Sequence, residues 1–490
     1  MATKKVIKTI LTKEGYLLVK EHFKDSELNF IKSELTVSPS NVFLMGKKSK
    51  DTDDLSFEVF RESDEYLSIP KFYGIKKIGE ADQNEEFLGD KMKIEFTGSL
   101  RPDQENIVNE TLEHLLKYDG GGICVGCGSG KTVMAIYIAH ILKVKTLIIV
   151  HKSFLLNQWK ERFEQFSNAR IGIIQQKKIE TEDKDVVIGM LQSIAKDKYD
   201  FGIFREFGLV IFDEAHHAPS KFFSQALPLI SCKKTLFLTA TPKRSDSLEK
   251  VLYWYFGDII YKAPPEKNDN VLVKIMKYNI THDKFKESFI PFTGEINRPR
   301  TLTRIVKITK RNKFIIRCLK DILYEEGRKI LVLSDRIEHL EKLKSYLDKE
   351  KIDTSFYIGG MKQAKLDEAT KATVILASYG MASEALDIPT LNTLVMATPR
   401  RSIEQSVGRI LRSKQNVIQP LILDIVDMLP SMDKQGFHRR KFYKKLKYQI
   451  KLINVEENEI IAEEDITDCV MNTADDMIDE DTLTQVDFLD

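Results

Sequence analysis

The segment Val125-Gly-Cys-Gly-Ser-Gly-Lys-Thr132 is a glycine-rich turn that closes on a lysine and a hydroxyl. Gly126, Gly128, Ser129 and Gly130 let successive backbone N–H groups wrap phosphate oxygens where a helix begins. Lys131 is then placed for the β- and γ-phosphates of ATP, and the Thr132 hydroxyl for Mg²⁺. Val125 stands where the strict form of this pattern has its first glycine; the remaining Gly-x-Gly-Lys-Thr is intact.

Further along, Asp213-Glu-Ala-His216 follows an apolar run, at the strand edge where α/β sheets bind ligands. Asp213 would hold Mg²⁺ there, and Glu214 would orient and deprotonate an attacking water. Thr239-Ala-Thr-Pro242 offers two hydroxyls, Thr239 and Thr241, at another strand end. Each short string alone could be a capped turn or an acidic surface loop; their order along one chain argues for a hydrolysis site. Gln405, Arg409 and Arg412 are spaced i, i+4 and i+7, which gathers them on one helix face. An arginine at the γ-phosphate neutralises charge that develops during phosphoryl transfer, whereas the bland alternative is a solvated basic helix.

These residues need strands to present them. Apolar runs at residues 122–125, 147–150, 186–190, 209–212 and 236–239 alternate with helical stretches, and a second series lies at 330–334, 355–358, 374–377, 393–396 and 420–425. Such alternation reads as buried parallel strands with helical crossovers. The expected fold class is α/β, with two tandem parallel-sheet lobes behind a small N-terminal α+β accessory domain. The expected divisions are residues 1–95 for the accessory domain, 96–262 for lobe 1, 263–310 for a linker or insertion, 311–451 for lobe 2 with a basic extension, and 452–490 for a disordered acidic tail.

The 490 residues carry 75 basic and 73 acidic side chains, a net +2 that hides a polar split. No Lys or Arg occurs from Leu452 to Asp490, so the body before it is basic and suits a polyanionic partner. Five cysteines, an odd number, argue against a disulfide framework. Cys124 and Cys127 form a CxxC with no second pair, overlapping the phosphate loop, so neither zinc nor redox chemistry is expected. The start lacks a secretory core and no apolar run is long enough to span a bilayer, which predicts an intracellular protein with no membrane partner.

Taken in order, Gly-Ser-Gly-Lys-Thr, Asp-Glu-Ala-His, Thr-Ala-Thr-Pro and Gln405-Ser-Val-Gly-Arg-Ile-Leu-Arg412 resemble a superfamily 2 helicase over about residues 98–427. The resemblance implies RecA-like lobes, ATP and Mg²⁺ as cofactors, and a nucleic-acid partner. It implies that Arg101 and Gln104 contact adenine and that Asp387, in Glu384-Ala-Leu-Asp-Ile-Pro389, lies near the nucleotide. It also puts His151, Lys152, Ser153, Gln192, Ser193 and Ser378 near the strand. Trp159 is read as core packing ahead of base stacking. The segment His438-Arg-Arg-Lys-Phe-Tyr-Lys-Lys-Leu-Lys-Tyr448 is either a phosphate-tracking helix or an amphipathic one packing Phe442, Leu446 and Tyr448.

A narrower similarity is to the XPB-like and UvsW-like helicases and to the transcript-release helicases of large DNA viruses. Arg244-Ser-Asp246 departs from their Arg-Glu-Asp element. That similarity implies a DNA motor in viral transcription, recombination or repair. An RNA-dependent ATPase is the alternative, and an ATP-binding scaffold a third reading. Transcription or replication proteins are the expected partners of the accessory domain and tail. For a viral protein, the host cytoplasm or virion is the expected location.

Overall fold

A computed structural model describes residues 6–39, 56–126, 128–196, 199–240, 246–264, 270–291, 293–384, 388–400, 403, 407 and 418–469. They fall into two compact units that meet in sequence at Ala263 and Pro264.

The first unit opens with the small α+β module. Its sheet runs Arg61–Glu62, Tyr66–Ile69, Gly15–Val19, Thr9–Thr12, Gln83–Asn84 in spatial order, with helices Asp25–Glu34 and Lys71–Lys77 beside it. Leu18, Leu67 and Ile69 from the strands and Leu28, Ile31 and Tyr73 from the helices form its core. Gly74 is what lets the second helix lie on the sheet, since a Cβ there would sit 2.4 Å from Tyr16 Cγ. The module is fastened to the rest of its unit by charge. Buried Lys71 pairs with Glu86 at 2.6 Å and donates to the Lys233 carbonyl at 2.9 Å, while Lys233 and Lys234 both pair with Asp119. The Lys234 hydrogen bond and the Lys71 charge hold the Asp119 carboxyl below the usual carboxylate range, against the opposing effect of burial.

Lobe 1 is an eight-stranded sheet ordered Lys178–Ile179, Ile171–Gln175, Val186–Met190, Thr146–Val150, Leu209–Asp213, Lys234–Thr239, Gly120–Cys124, Ile259–Lys262. Every pairing is parallel except the one made by Lys178–Ile179. Alternation along the central strands feeds two cores. Ile148, Ile188, Ile211 and Leu236 enter one, and Leu147, Val187, Val210 and Phe237 the other. A sheet buried on both faces explains why these strands read as continuous apolar runs. Because the strands are parallel and in register, their carboxyl ends collect on one edge, where the chemistry-bearing residues follow.

The second unit is ordered Thr354–Tyr357, Val374–Ser378, Ile330–Ser334, Thr393–Met396, Leu421–Asp427, Leu272–Asn279, Gln449–Glu456, Glu459–Asp465, parallel but for the last pair. Two sequence boundaries are corrected here. Leu272–Asn279 falls in the expected linker, yet it is a full strand between Leu421–Asp427 and Gln449–Glu456. Lys274 and Lys277 disguise it, although Val273, Ile275, Met276 and Tyr278 are buried. Gln449–Glu456 crosses the expected start of the tail at residue 452, and Glu459–Asp465 hairpins back on it. Ile450, Ile453 and Val455 supply the apolar positions that hold the first of these strands in the sheet. The acidic count obscured that pattern, and of the expected disordered tail only residues 470–490 lie outside the described residues.

Two buried bidentate ion pairs pin helices to the Leu421–Asp427 strand. Arg311, on helix Thr309–Leu323, binds Asp427 at 2.6 and 2.8 Å. Arg439, on helix Pro430–Lys445, binds Asp424 at 2.8 Å through both nitrogens. The basic helix is therefore a packed one, and its inner face is Met432, Gly436, Arg439 and Tyr443 rather than Phe442 and Leu446. Among the described residues no helix is long and apolar enough to cross a membrane.

Candidate nucleotide site

The glycine loop joins the buried strand Gly120–Cys124 to helix Lys131–Leu142. Gly128 and Gly130 adopt φ of +85° and +79°, left-handed values that spare the loop a side-chain clash. At Gly130 space is also decisive, since a Cβ would come within 2.2 Å of Gln104 Nε2. Lys131 Nζ donates to the carbonyls of Val125 at 3.1 Å and Gly126 at 3.3 Å, which lays the ammonium across the loop mouth. Thr132 sits in the first helical turn beside it.

Helix Pro102–Tyr118 braces the loop from the other side. Gln104 Nε2 and Arg101 Nη2 both donate to the Ser129 carbonyl, at 2.9 and 2.8 Å. Gln104 Oε1 accepts from the Arg101 backbone N–H at 3.0 Å, so the same side chain caps its own helix. The two residues expected at adenine thus also hold the phosphate loop in shape.

Asp213 ends its strand with a buried carboxyl, and Glu214 follows with φ +49°, a left-handed value unusual for a glutamate. Burial first, and the neighbouring Glu214 charge second, push the Asp213 pKa up to about 6. Three groups work against that: Trp159 Nε1 donates to Asp213 Oδ2 at 2.8 Å, and the nearby Lys131 and His151 favour the anion. Glu214 Oε2 is buried, accepts no hydrogen bond among the described residues, and lies 3.4 Å from His216 Nδ1. Two adjacent carboxylates, one of them near the Lys131 charge of the phosphate loop, offer hard oxygen donors that fit Mg²⁺ bound with a nucleotide.

The neighbouring strand ends are linked to this pair. His216 Nδ1 is 3.2 Å from Thr239 Oγ1. The His217 ring lies between His216 and His151, tilted to both, with centroids 4.2 and 4.1 Å apart. Gln192 Nε2 donates to the His151 carbonyl, and Ser193 Oγ accepts from the Gln176 backbone N–H at 3.0 Å.

Comparison with known proteins fits this geometry. Residues 97–244 match the family described as Type III restriction enzyme, res subunit, and residues 311–414 match the helicase conserved C-terminal domain. A protein of Acanthamoeba polyphaga mimivirus named "Putative ATP-dependent RNA helicase L396" is 36% identical over 463 residues, covering 92% of this chain and 88% of the relative. The chain belongs to the superfamily 2 helicases of large DNA viruses. The helicase is also 26% identical to the African swine fever virus protein QP509L, which carries the same designation, over 71% of this chain and 73% of that one. In fold alone it resembles the DNA-bound Type ISP restriction-modification enzyme LlaBIII, with a TM-score of 0.50, 16% identity, and coverage of 75% of this chain and 32% of that one.

The helicase is thus an ATP-hydrolysing enzyme that acts on nucleic acid. Lobe 1 gathers Arg101, Gln104, Gly126, Gly128, Ser129, Gly130, Lys131, Thr132, Asp213, Glu214 and Thr239 at one sheet edge. Of the residues expected near the strand, Ser153 is exposed, Lys152 and Gln192 are half-buried, and His151 and Ser193 are buried. Ser378 ends the strand Val374–Ser378 of the second unit. Cys127, Thr241, Asp387, Gln405, Arg409 and Arg412 lie outside the described residues. Trp159 is core, as its packing reading has it, but the bond to Asp213 was not foreseen. Its one legible signal is an indole on an otherwise apolar helix face, because a buried N–H needs an acceptor.

Proposed function

We propose that this helicase is a DNA translocase that serves viral transcription, recombination or repair. The observation that carries the motor reading is the buried Asp213 with half-buried Glu214 after it, near the Lys131 loop at the carboxyl edge of one sheet. Lys131, Gly126, Gly128, Ser129 and Gly130 bind the ATP phosphates, Thr132 and Asp213 hold Mg²⁺, and Glu214 takes the proton from the attacking water. The cation, when bound, neutralises phosphate charge and lowers the barrier to transfer. Arg101 and Gln104 select and brace the nucleotide end, and Asp387 lies near it. Arg409 and Arg412, from the second unit's sequence, supply positive charge to the phosphoryl group, and Gln405 a neutral amide that can hydrogen-bond beside them. Thr239, Thr241, His151, Lys152, Ser153, Gln192, Ser193 and Ser378 relay strand binding to the hydrolysis residues.

The basic body supports a partner held by its phosphates, a mode that carries no sequence preference. The restriction-enzyme family match favours DNA. The designation of the mimivirus relative favours RNA, which makes an RNA-dependent ATPase the second reading. Transcription or replication proteins as partners, and the host cytoplasm or virion as location, go with the viral reading. One measurement separates the two substrates: ATPase rate with single-stranded DNA, duplex DNA, branched DNA and RNA side by side. Stimulation by RNA alone would overturn the DNA proposal.

A further inference from the structure

Helix Ser153–Phe166 starts just past the strand Thr146–Val150 and buries Leu155, Leu156, Trp159 and Phe163. That spacing forms one inward face, and packing alone would ask only for a large apolar group at position 159. An indole is a different choice, since its N–H costs free energy at 1% exposure unless it is bonded. The N–H goes to Asp213 Oδ2 at 2.8 Å, across 54 residues of sequence. The other oxygen, Oδ1, accepts the Glu214 backbone N–H at 3.1 Å. Both oxygens are therefore engaged, one by an indole fixed in the core and one by the next residue's backbone, and together these set the plane of the carboxylate. A carboxylate keeps further lone pairs when each oxygen accepts one bond, so a cation can still be met, in one orientation.

We infer that Trp159 is a positioning residue for the cation: its indole N–H holds Asp213 in the rotamer that meets Mg²⁺ on the nucleotide. This rests on the reading of Asp213 as the metal-holding residue. Outer partners of this kind fix the ligand and raise its hold on the metal. The same bond favours the Asp213 anion, in opposition to burial and to the Glu214 charge.

The test uses the full-length helicase and the Mg²⁺ dependence of its ATPase at fixed ATP. Trp159→Phe keeps an aromatic filler and removes the donor. Placing β-(3-benzothienyl)alanine at position 159 keeps the bicyclic shape as well, which removes the folding ambiguity. Both should raise the half-saturating Mg²⁺ about tenfold or more. Nucleotide affinity in chelator, and turnover at saturating Mg²⁺, should stay within about threefold of the parent. A purely structural role would lower the rate at every Mg²⁺ concentration and leave half-saturation in place. An unmoved half-saturation in the benzothienyl protein, with Asp213→Asn inactive, overturns the positioning role alone. Normal Mg²⁺-dependent hydrolysis by Asp213→Asn overturns the metal assignment beneath it.

Discussion

His216 Nδ1 stands 3.2 Å from Thr239 Oγ1 and 3.4 Å from Glu214 Oε2, so one imidazole ties the end of one lobe 1 strand to the carboxylate that follows its neighbour. Thr239 is fully buried. The His216 imidazole is thus the side chain through which a shift of Thr239 would reach Glu214. His216→Ala should lower kcat by about fivefold, in line with a lost hydrogen bond of ~1 kcal/mol at the hydrolysis residues, and leave the KM for ATP near its parent value. Steady-state kinetics at saturating nucleic acid would show this, and a change confined to KM would contradict it.

Lys131 and Glu214 should fail in different ways. Lys131→Ala is expected to weaken nucleotide binding and hydrolysis together, because the ammonium meets the phosphates before and during reaction. Glu214→Gln should bind ATP as the parent does and stall its cleavage. Nucleotide affinity and single-turnover hydrolysis, measured separately, distinguish the two; near-normal turnover by Glu214→Gln would remove it as the base.

The raised Asp213 pKa of about 6 links stability to pH. The unfolded chain releases this proton at the ordinary aspartate value of 3.8, and the folded chain holds it longer. Ionised Asp213 therefore penalises the fold; the penalty is absent below about pH 4, grows between about 4 and 6, and is complete above. Asp213→Asn lacks it. Without nucleotide or divalent cation, the Tm advantage of the Asn protein over the parent should rise across that window and then level off. A difference that is flat with pH would show that Asp213 is not strained in this way.

Arg409 is expected to act on the transition state. Arg409→Ala should leave nucleotide binding intact and cost on the order of a thousandfold in nucleic-acid-stimulated turnover. Arg409→Lys should rescue little, because a point charge does not reproduce a planar fork across two phosphate oxygens. Full rescue by lysine would argue for simple charge screening.

Two truncations separate the sheet from the residues beyond it. Ending the chain after Cys469 keeps Gln449–Glu456 and Glu459–Asp465 and removes only acids from the charge balance, so nucleic-acid binding should strengthen or hold. Ending it after Lys451 strips most of a strand paired along its length with Leu272–Asn279 and bares that edge to solvent. The shorter chain should melt lower and aggregate. Equal melting of the two truncated chains, followed by circular dichroism, would refute the structural role of this strand.

Lobe 1 was legible because its strands are buried on both faces. Parallel, helix-covered strands must be apolar at every position, so residues 147–150, 186–190 and 209–212 announce themselves without help from the rest of the chain. The phosphate loop was legible for a related reason, as left-handed backbone at Gly128 and Gly130 excludes other residues locally. Leu272–Asn279 and Gln449–Glu456 were not, because lysine stems and acidic residues can border a strand whose apolar positions are few. Their pairing with each other and with their other neighbours stabilises them, and the pairing between these two strands, some 180 residues apart, has no local signature. The site divides the same way. Residue type and spacing determine which groups can bind phosphate and a cation. Tertiary structure alone decided that Trp159 holds Asp213, that Gln104 and Arg101 brace Ser129, and that Arg439 neutralises Asp424 in place of a phosphate. A hydrogen bond or ion pair depends on where two distant backbones bring their side chains, and sequence spacing carries that information only within a single helix or strand.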